Sequence, residues 1–224
     1  MLAALVVIPI VHADSYVIPL EGARWKSSAI AVHIYGGASW QQNQTYQAMQ
    51  IWNQAQLWFT REYFQNSPVY VFTVGDSSAP VQVNLLNAST IVGSIQAWTE
   101  YHAQNGFMES ASVKIAARYS RNALLILSVH ELGHVLGLSH VSCCEKDLMN
   151  AYPVANSASP FPTTLDLYAV HILASSDLVP SQVSLLRTIP YGTAPTSEVG
   201  LPEFPDLLIV LIGMSCLMII RRHE

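Results

Sequence analysis

The chain has 224 residues, 11% of them charged, with a formal net charge of −5. That length suits one ordinary domain with a single core, and the acidic balance leaves no electrostatic footprint for a nucleic-acid partner. Three cysteines, two of them adjacent (Cys143, Cys144) and one in an apolar tail (Cys216), define no disulfide framework.

The first element in chain order is an apolar run from Leu2 to Val11, followed by Val11-His12-Ala13. This reads as a signal peptide spanning residues 1–13, cleaved after Ala13, with a buried first strand as the alternative. Ile30, Val32 and Ile34 alternate with Ala31, His33 and Tyr35, the period of a half-buried strand. Gly36-Gly37 ends it. Ser39 and Gln42 are spaced like a capping box, so a long helix is expected from there to about Phe64, with Ala48, Trp52, Ala55 and Phe59 on its inner face. Four strands should follow: Val69 to Val74, then one through Val81, Val83 and Leu85. The third runs through Ile95, Ala97, Thr99 and Tyr101, and the fourth through Val113 and Ile115. Asn105-Gly106 marks a turn between the last two. A leucine-rich helix is expected from Arg121 to about Leu138. A second helix spans Thr164 to Ser175, where Thr163 and Asp166 form a capping-box pattern. This order of elements argues for one mixed α/β domain over residues 14–187.

Residues 188–205, rich in Gly, Pro, Ser and Thr, are expected to form a stalk. Residues 206–224 form a hydrophobic tail in which Leu207–Ile220 precede Arg221 and Arg222. As a helix those fourteen residues would span ~21 Å, short of a ~30 Å hydrocarbon core. Basic residues after them would hold that end inside and the domain outside.

The chemistry concentrates in residues 130–140, HELGHVLGLSH. His130 and His134 stand at i and i+4 and so share one side of a helix, where both imidazoles can meet one ion. A catalytic zinc takes three protein ligands and keeps one position open. His140 can supply the third only if the chain leaves the helix between His134 and itself. Gly137 stands where that turn is needed, since glycine adopts the left-handed cap conformation cheaply. Glu131, beside the ligand face, is suited to be the general base for a water activated by the metal. The eleven-residue pattern fixes five positions, and a chance match in such a chain is on the order of 10⁻⁵.

This stretch resembles the metzincin metalloproteases, whose elongated zinc motif is followed by a methionine turn. Met149, nine residues after His140, and the phrase HELGHVLGLSH look most like the matrixin branch. The resemblance covers about Arg24 to Ser175. It implies a zincin fold: a mixed sheet of about five twisted strands with an antiparallel edge strand, a long active-site helix, the methionine turn and a C-terminal helix. It implies one Zn²⁺ held by His130, His134 and His140, and Met149 as a packing floor beneath it. It also implies hydrolysis of protein or peptide substrates. By the same resemblance the strand Ser94–Tyr101 would pair with an extended substrate, with Trp98 a candidate contact, and Tyr152 and Pro153 would wall a side-chain pocket. An ordinary sheet strand and ordinary loop packing explain these three residues as well.

Two departures stand out. Val141 occupies a position where matrixins usually have serine. Tyr152 lies three residues past Met149 rather than two, so it is given no metal role. Pro202-Glu203-Phe204 followed by the apolar tail resembles the PEF-type sorting tails of archaeal surface proteins. That resemblance implies processing by an archaeosortase and attachment to the cell surface, with a plain membrane anchor as the alternative. The sequence therefore supports an extracellular, surface-attached zinc endopeptidase. A non-catalytic zinc-containing binding or adhesion module on the same fold is the rival.

Overall fold

Alternation along the strands places one apolar face against the helices, and the computed structural model shows how the elements assemble on it. It describes residues 16–65, 67–87, 96–142, 144, 147–151 and 159–195. The segments expected to be the signal peptide and the hydrophobic tail, together with Tyr152 and Pro153, lie outside these residues. Among the described residues no helix is long and apolar enough to cross a membrane.

The elements in order are β1 (Val17–Pro19), β2 (Arg24–Trp25), β3 (Ala29–Gly36), α1 (Ser39–Tyr63), β4 (Val71–Val74), β5 (Val81–Leu86), β6 (Ala97–Gln104), β7 (Phe107–Ala116), α2 (Arg121–Val135), α3 (Thr164–Ser175) and β8 (Gln182–Ser184). Six strands form one sheet in the order β2-β7-β5-β3-β4, with β6 on the far side of β7. All pairings are parallel except β6 with β7, which are antiparallel. The mixed sheet with one antiparallel edge strand is the architecture expected, enlarged by the two-residue β2. Asn105 and Gly106, with φ of 54° and 78°, make the tight β6–β7 turn, since a two-residue hairpin loop of this kind needs positive φ at both positions.

Ile30, Val32, Val81, Val83, Val113 and Ile115 line the inner face and are at most 1% exposed. Ala48, Trp52, Ala55 and Phe59 of α1 meet them, each fully buried. Burying an aromatic or aliphatic side chain of this size contributes roughly 1.5–3 kcal/mol, so this layer is the main source of stability. α2 lies beside α1 and is buried on nearly every side. Two indoles clamp it: Trp52 Nε1 donates to the Val129 carbonyl at 2.8 Å, and Trp25 Nε1 donates to the Val135 carbonyl at 2.7 Å.

Three expectations need correction. α1 begins with Ala38 as its N-cap, not Ser39, and the side chain that reaches back is Gln41, whose Oε1 accepts from the Ala38 N–H at 2.5 Å. Gln42 instead donates to the Gly36 carbonyl, because it faces the end of β3. α2 stops at Val135 rather than Leu138, for reasons that lie in the site itself. The stretch expected to leave the domain at residue 188 stays on it to residue 195, with Ile189 and Ala194 only 5% and 1% exposed. Its backbone completes the start of α3: the Thr164 N–H donates to the Gly192 carbonyl at 2.7 Å, and Ala194 N–H to the Pro162 carbonyl at 3.1 Å.

Candidate metal centre

The end of α2 decides the geometry. Gly137 has φ of +98°, the left-handed conformation that closes a helix. The Leu138 N–H reaches back to the Gly133 carbonyl at 3.1 Å, and the Gly137 N–H to the His134 carbonyl at 2.9 Å. This pair of bonds is the Schellman arrangement, and it turns the chain out of the helix right after the second histidine. The N-terminal segment then braces the turn from outside. Glu21 N–H donates to the Gly137 carbonyl and Ser139 N–H to the Pro19 carbonyl, both at 3.0 Å.

That turn brings His140 back to the helix. The Nε2 atoms of His130 and His134 are 3.1 Å apart, those of His134 and His140 3.1 Å, and those of His140 and His130 3.3 Å. His130 Nδ1 donates to the Leu148 carbonyl at 2.6 Å and His134 Nδ1 to the Leu138 carbonyl at 2.7 Å, so in both rings the proton sits on Nδ1 and the Nε2 lone pair faces inward. Lone pairs aimed at one another at this range repel unless a cation lies among them. Three nitrogens bound tetrahedrally to zinc at ~2.0–2.1 Å stand about 3.3 Å apart, which the observed triangle fits.

The electrostatics agree. Burial holds the His130 imidazole down to about 4. Burial and the neighbouring rings hold His134 down to about 3, and burial lowers His140. Neutral imidazoles are the metal-binding form. His130 is buried, His134 has 12% of its side chain exposed, and His140 opens to solvent, which gives the centre its mouth.

Glu131 is only 4% exposed. Burial pushes its carboxyl up to about 7, against the pull of the Thr99 hydroxyl, which donates to Oε2 at 2.6 Å. Met149 is fully buried beneath the helix, where Gly133 makes room for it: a Cβ there would run into the Met149 sulfur. The loop that carries it closes by Val141 N–H to the Met149 carbonyl at 2.9 Å. Cys144 in that loop is disulfide-bonded. Asp147 is buried and accepts from the Met149 N–H at 2.9 Å through Oδ1, and from Thr163 and Tyr191 hydroxyls, each at 3.0 Å, through Oδ2.

The edge strand β6 sends alternate side chains to its two faces. Thr99 and Tyr101 face the cleft: Thr99 meets Glu131, and the Tyr101 hydroxyl donates to the Glu21 carbonyl at 2.8 Å. Glu21 in turn sets a carboxylate oxygen 3.8 Å from His134 Nδ1. Trp98, just before Thr99 in sequence, points to the opposite face, where the Lys114 ammonium lies over its ring at 5.1 Å. The alternation of Ala97, Thr99 and Tyr101 was the signal that separates the two faces. Glu21, Thr99 and Asp147 carry no motif and become visible only through tertiary contact.

A mixed α/β domain with an antiparallel edge strand, a buried HExxH helix, a glycine turn to a third histidine and a buried methionine beneath them is a metzincin-type domain. The matrixin family model matches residues 33–171, more than half of the chain, and the chain belongs to that family, whose members are zinc metallopeptidases. The crystal structure of myroilysin is similar to 53% of this chain at 18% identity with a TM-score of 0.31, and the chain spans about half (47%) of that structure's length. A comparison with curated proteins found no match.

Proposed function

We propose that the chain is a zinc-dependent endopeptidase in which His130, His134 and His140 hold one Zn²⁺ and Glu131 is the general base. The observation that carries this is the triangle of imidazole Nε2 atoms, with a buried carboxylate beside it in the chain that is held by the Thr99 hydroxyl. Zinc, when bound, supplies a Lewis acid that polarises the scissile carbonyl and acidifies water. Glu131 takes the proton from the attacking water and returns it to the leaving amine. β6, the antiparallel edge strand, offers backbone groups along which an extended peptide can pair. The outer face of β6 carries Trp98, so substrate contact from this strand falls to its edge and to the cleft-facing side chains. Tyr152 and Pro153 remain the proposed wall of the side-chain pocket, on the sequence alone.

A binding module on the same scaffold would gain nothing from a desolvated carboxylate, whose burial is costly unless it works. The proposed setting is outside the cell, with the protein attached to the surface by its C-terminal tail, possession of which rests on the sequence and its PEF-type pattern. The test is Glu131→Ala in the full chain. The variant should bind one zinc as the parent does and lose casein hydrolysis by about 10²-fold or more. Full hydrolysis by that variant would remove the base from the mechanism.

A further inference from the structure

We propose that Thr99 is a positioning residue for Glu131, tying the base to the strand on which the substrate is laid. The inference rests on the peptidase reading of this site and adds a residue to it.

The geometry is specific. Thr99 sits in β6 opposite Val113 of β7, a fully buried residue, so its place in the sheet is fixed. Its hydroxyl has one proton to donate. The Glu131 carboxylate Oε2 at 2.6 Å is the near acceptor, and the Glu131 carbonyl at 3.3 Å is the far one. A short bond to an ionised acceptor is the stronger of the two. Threonine is β-branched and stiff about χ1, so the strand backbone dictates where the hydroxyl points. Glutamate is the opposite case: three rotatable bonds separate its carboxylate from α2, and without a partner it would sample several rotamers.

The bond therefore removes the freedom that a base cannot keep if it is to meet the attacking water. It also does so from a particular place. β6 is at the edge of the sheet, and a peptide paired along it would take its position from the same backbone that orients Thr99. Substrate and base then share one reference frame, and Oε2 is occupied while Oε1 is left to handle the proton. Neighbouring residues cannot substitute. Ala97 has no donor, the Tyr101 hydroxyl is committed to Glu21, and Trp98 and Glu100 lie on the other face.

The experiment compares Thr99→Val and Thr99→Ser with the parent and with Glu131→Gln, all in the full chain. Each is assayed on one quenched-fluorescent peptide, with bound zinc and melting temperature measured on the same samples. Valine keeps the shape and strand preference of threonine without the hydroxyl. It should lower kcat roughly tenfold with KM within about twofold, and leave zinc content and melting temperature at the parent's values. Serine restores the donor and should recover kcat to within about threefold of the parent. Adding Thr99→Val to Glu131→Gln should cost nothing further, because Thr99 acts only through Glu131.

Parent-like kcat in the valine variant overturns the inference, and so does a serine variant as slow as the valine one. A loss of kcat that tracks loss of zinc or of melting temperature overturns it too, by showing a structural role. Failure of the wider reading looks different: an inactive parent, or an active Glu131→Gln, removes the base itself and the inference with it.

Discussion

Gly137 shows how much one backbone angle can decide. At φ of +98° an added Cβ would be strained by conformation alone, and it would also stand 2.9 Å from the Ala23 carbonyl oxygen and 3.0 Å from Leu173 Cδ1. Left-handed strain for a non-glycine residue costs on the order of 1–2 kcal/mol, and the two close approaches add to it. Gly137→Ala should therefore lower stability by roughly 2–4 kcal/mol in urea unfolding. It should also weaken zinc binding in a competition titration, because the turn that returns His140 is the part that must give. A variant as stable as the parent with undiminished zinc affinity would show that the turn tolerates another conformation. This residue was legible from spacing alone, since no helix can present His140 beside His134. Gly133 was not: its reason is the sulfur of Met149, sixteen residues away. Nor was Thr99, whose hydroxyl is informative only once Glu131 is opposite it.

Between elements, the methionine turn and α3 are joined by a buried pair of acids. Thr163 caps α3, its N–H donating to Asp166 Oδ2 at 2.8 Å, and its hydroxyl touches Asp147 and Asp166 alike at 3.0 Å. The capping box was readable because it is local. Its second role, holding Asp147 and hence the Met149 loop, depends on a partner sixteen residues upstream of Thr163 and was not. Burial and the neighbouring Asp147 carboxylate raise Asp166 well above the usual carboxylate range, and its Oδ1 is buried without a partner. The sign of the consequence follows. With the folded-state pKa above the unfolded one, the native state binds the extra proton, so this group's contribution to stability is full below about pH 4 and is lost as pH rises through the folded pKa. Asn at 166 mimics the neutral acid and carries no such penalty. Asp166→Asn should therefore gain in stability relative to the parent as pH is raised from about 5 to about 8. The buried histidines shift stability the other way in both proteins and cancel in the difference. Parallel pH curves in paired urea titrations would show that Asp166 is not protonated in the fold.

At the scale of the molecule, the two ends of the described chain meet, and the site depends on both. β1 pairs with β8 antiparallel, Val17 opposite Ser184 and Pro19 opposite Gln182. The segment after β1 supplies Glu21 and the braces of the Gly137 turn, while the segment after β8 supplies Tyr191 to Asp147, stacked on Tyr16 at 4.1 Å between ring centres. None of this was legible, because strands of two or three residues are too short for a period to emerge, and a stretch rich in Gly, Pro, Ser and Thr reads as linker. The longer strands β3, β5, β6 and β7 and the two long helices had six or more residues in which to show their pattern. A fragment ending at residue 187, the boundary that composition suggests, would strip from α3 the Gly192 carbonyl that receives the Thr164 N–H and the Pro190 carbonyl that receives its hydroxyl at 2.8 Å. It would leave buried donors unsatisfied, at about 1–3 kcal/mol for such a group, and expose the pocket of Ile189, worth roughly another 1.5–3 kcal/mol. Compared with a fragment of residues 14–195, the shorter one should be less stable by roughly 2–5 kcal/mol in urea and take up zinc more weakly. Coincident unfolding curves for the two fragments would mean that residues 188–195 rest on the domain without supporting it, and that Asp147 keeps the methionine turn in place without Tyr191.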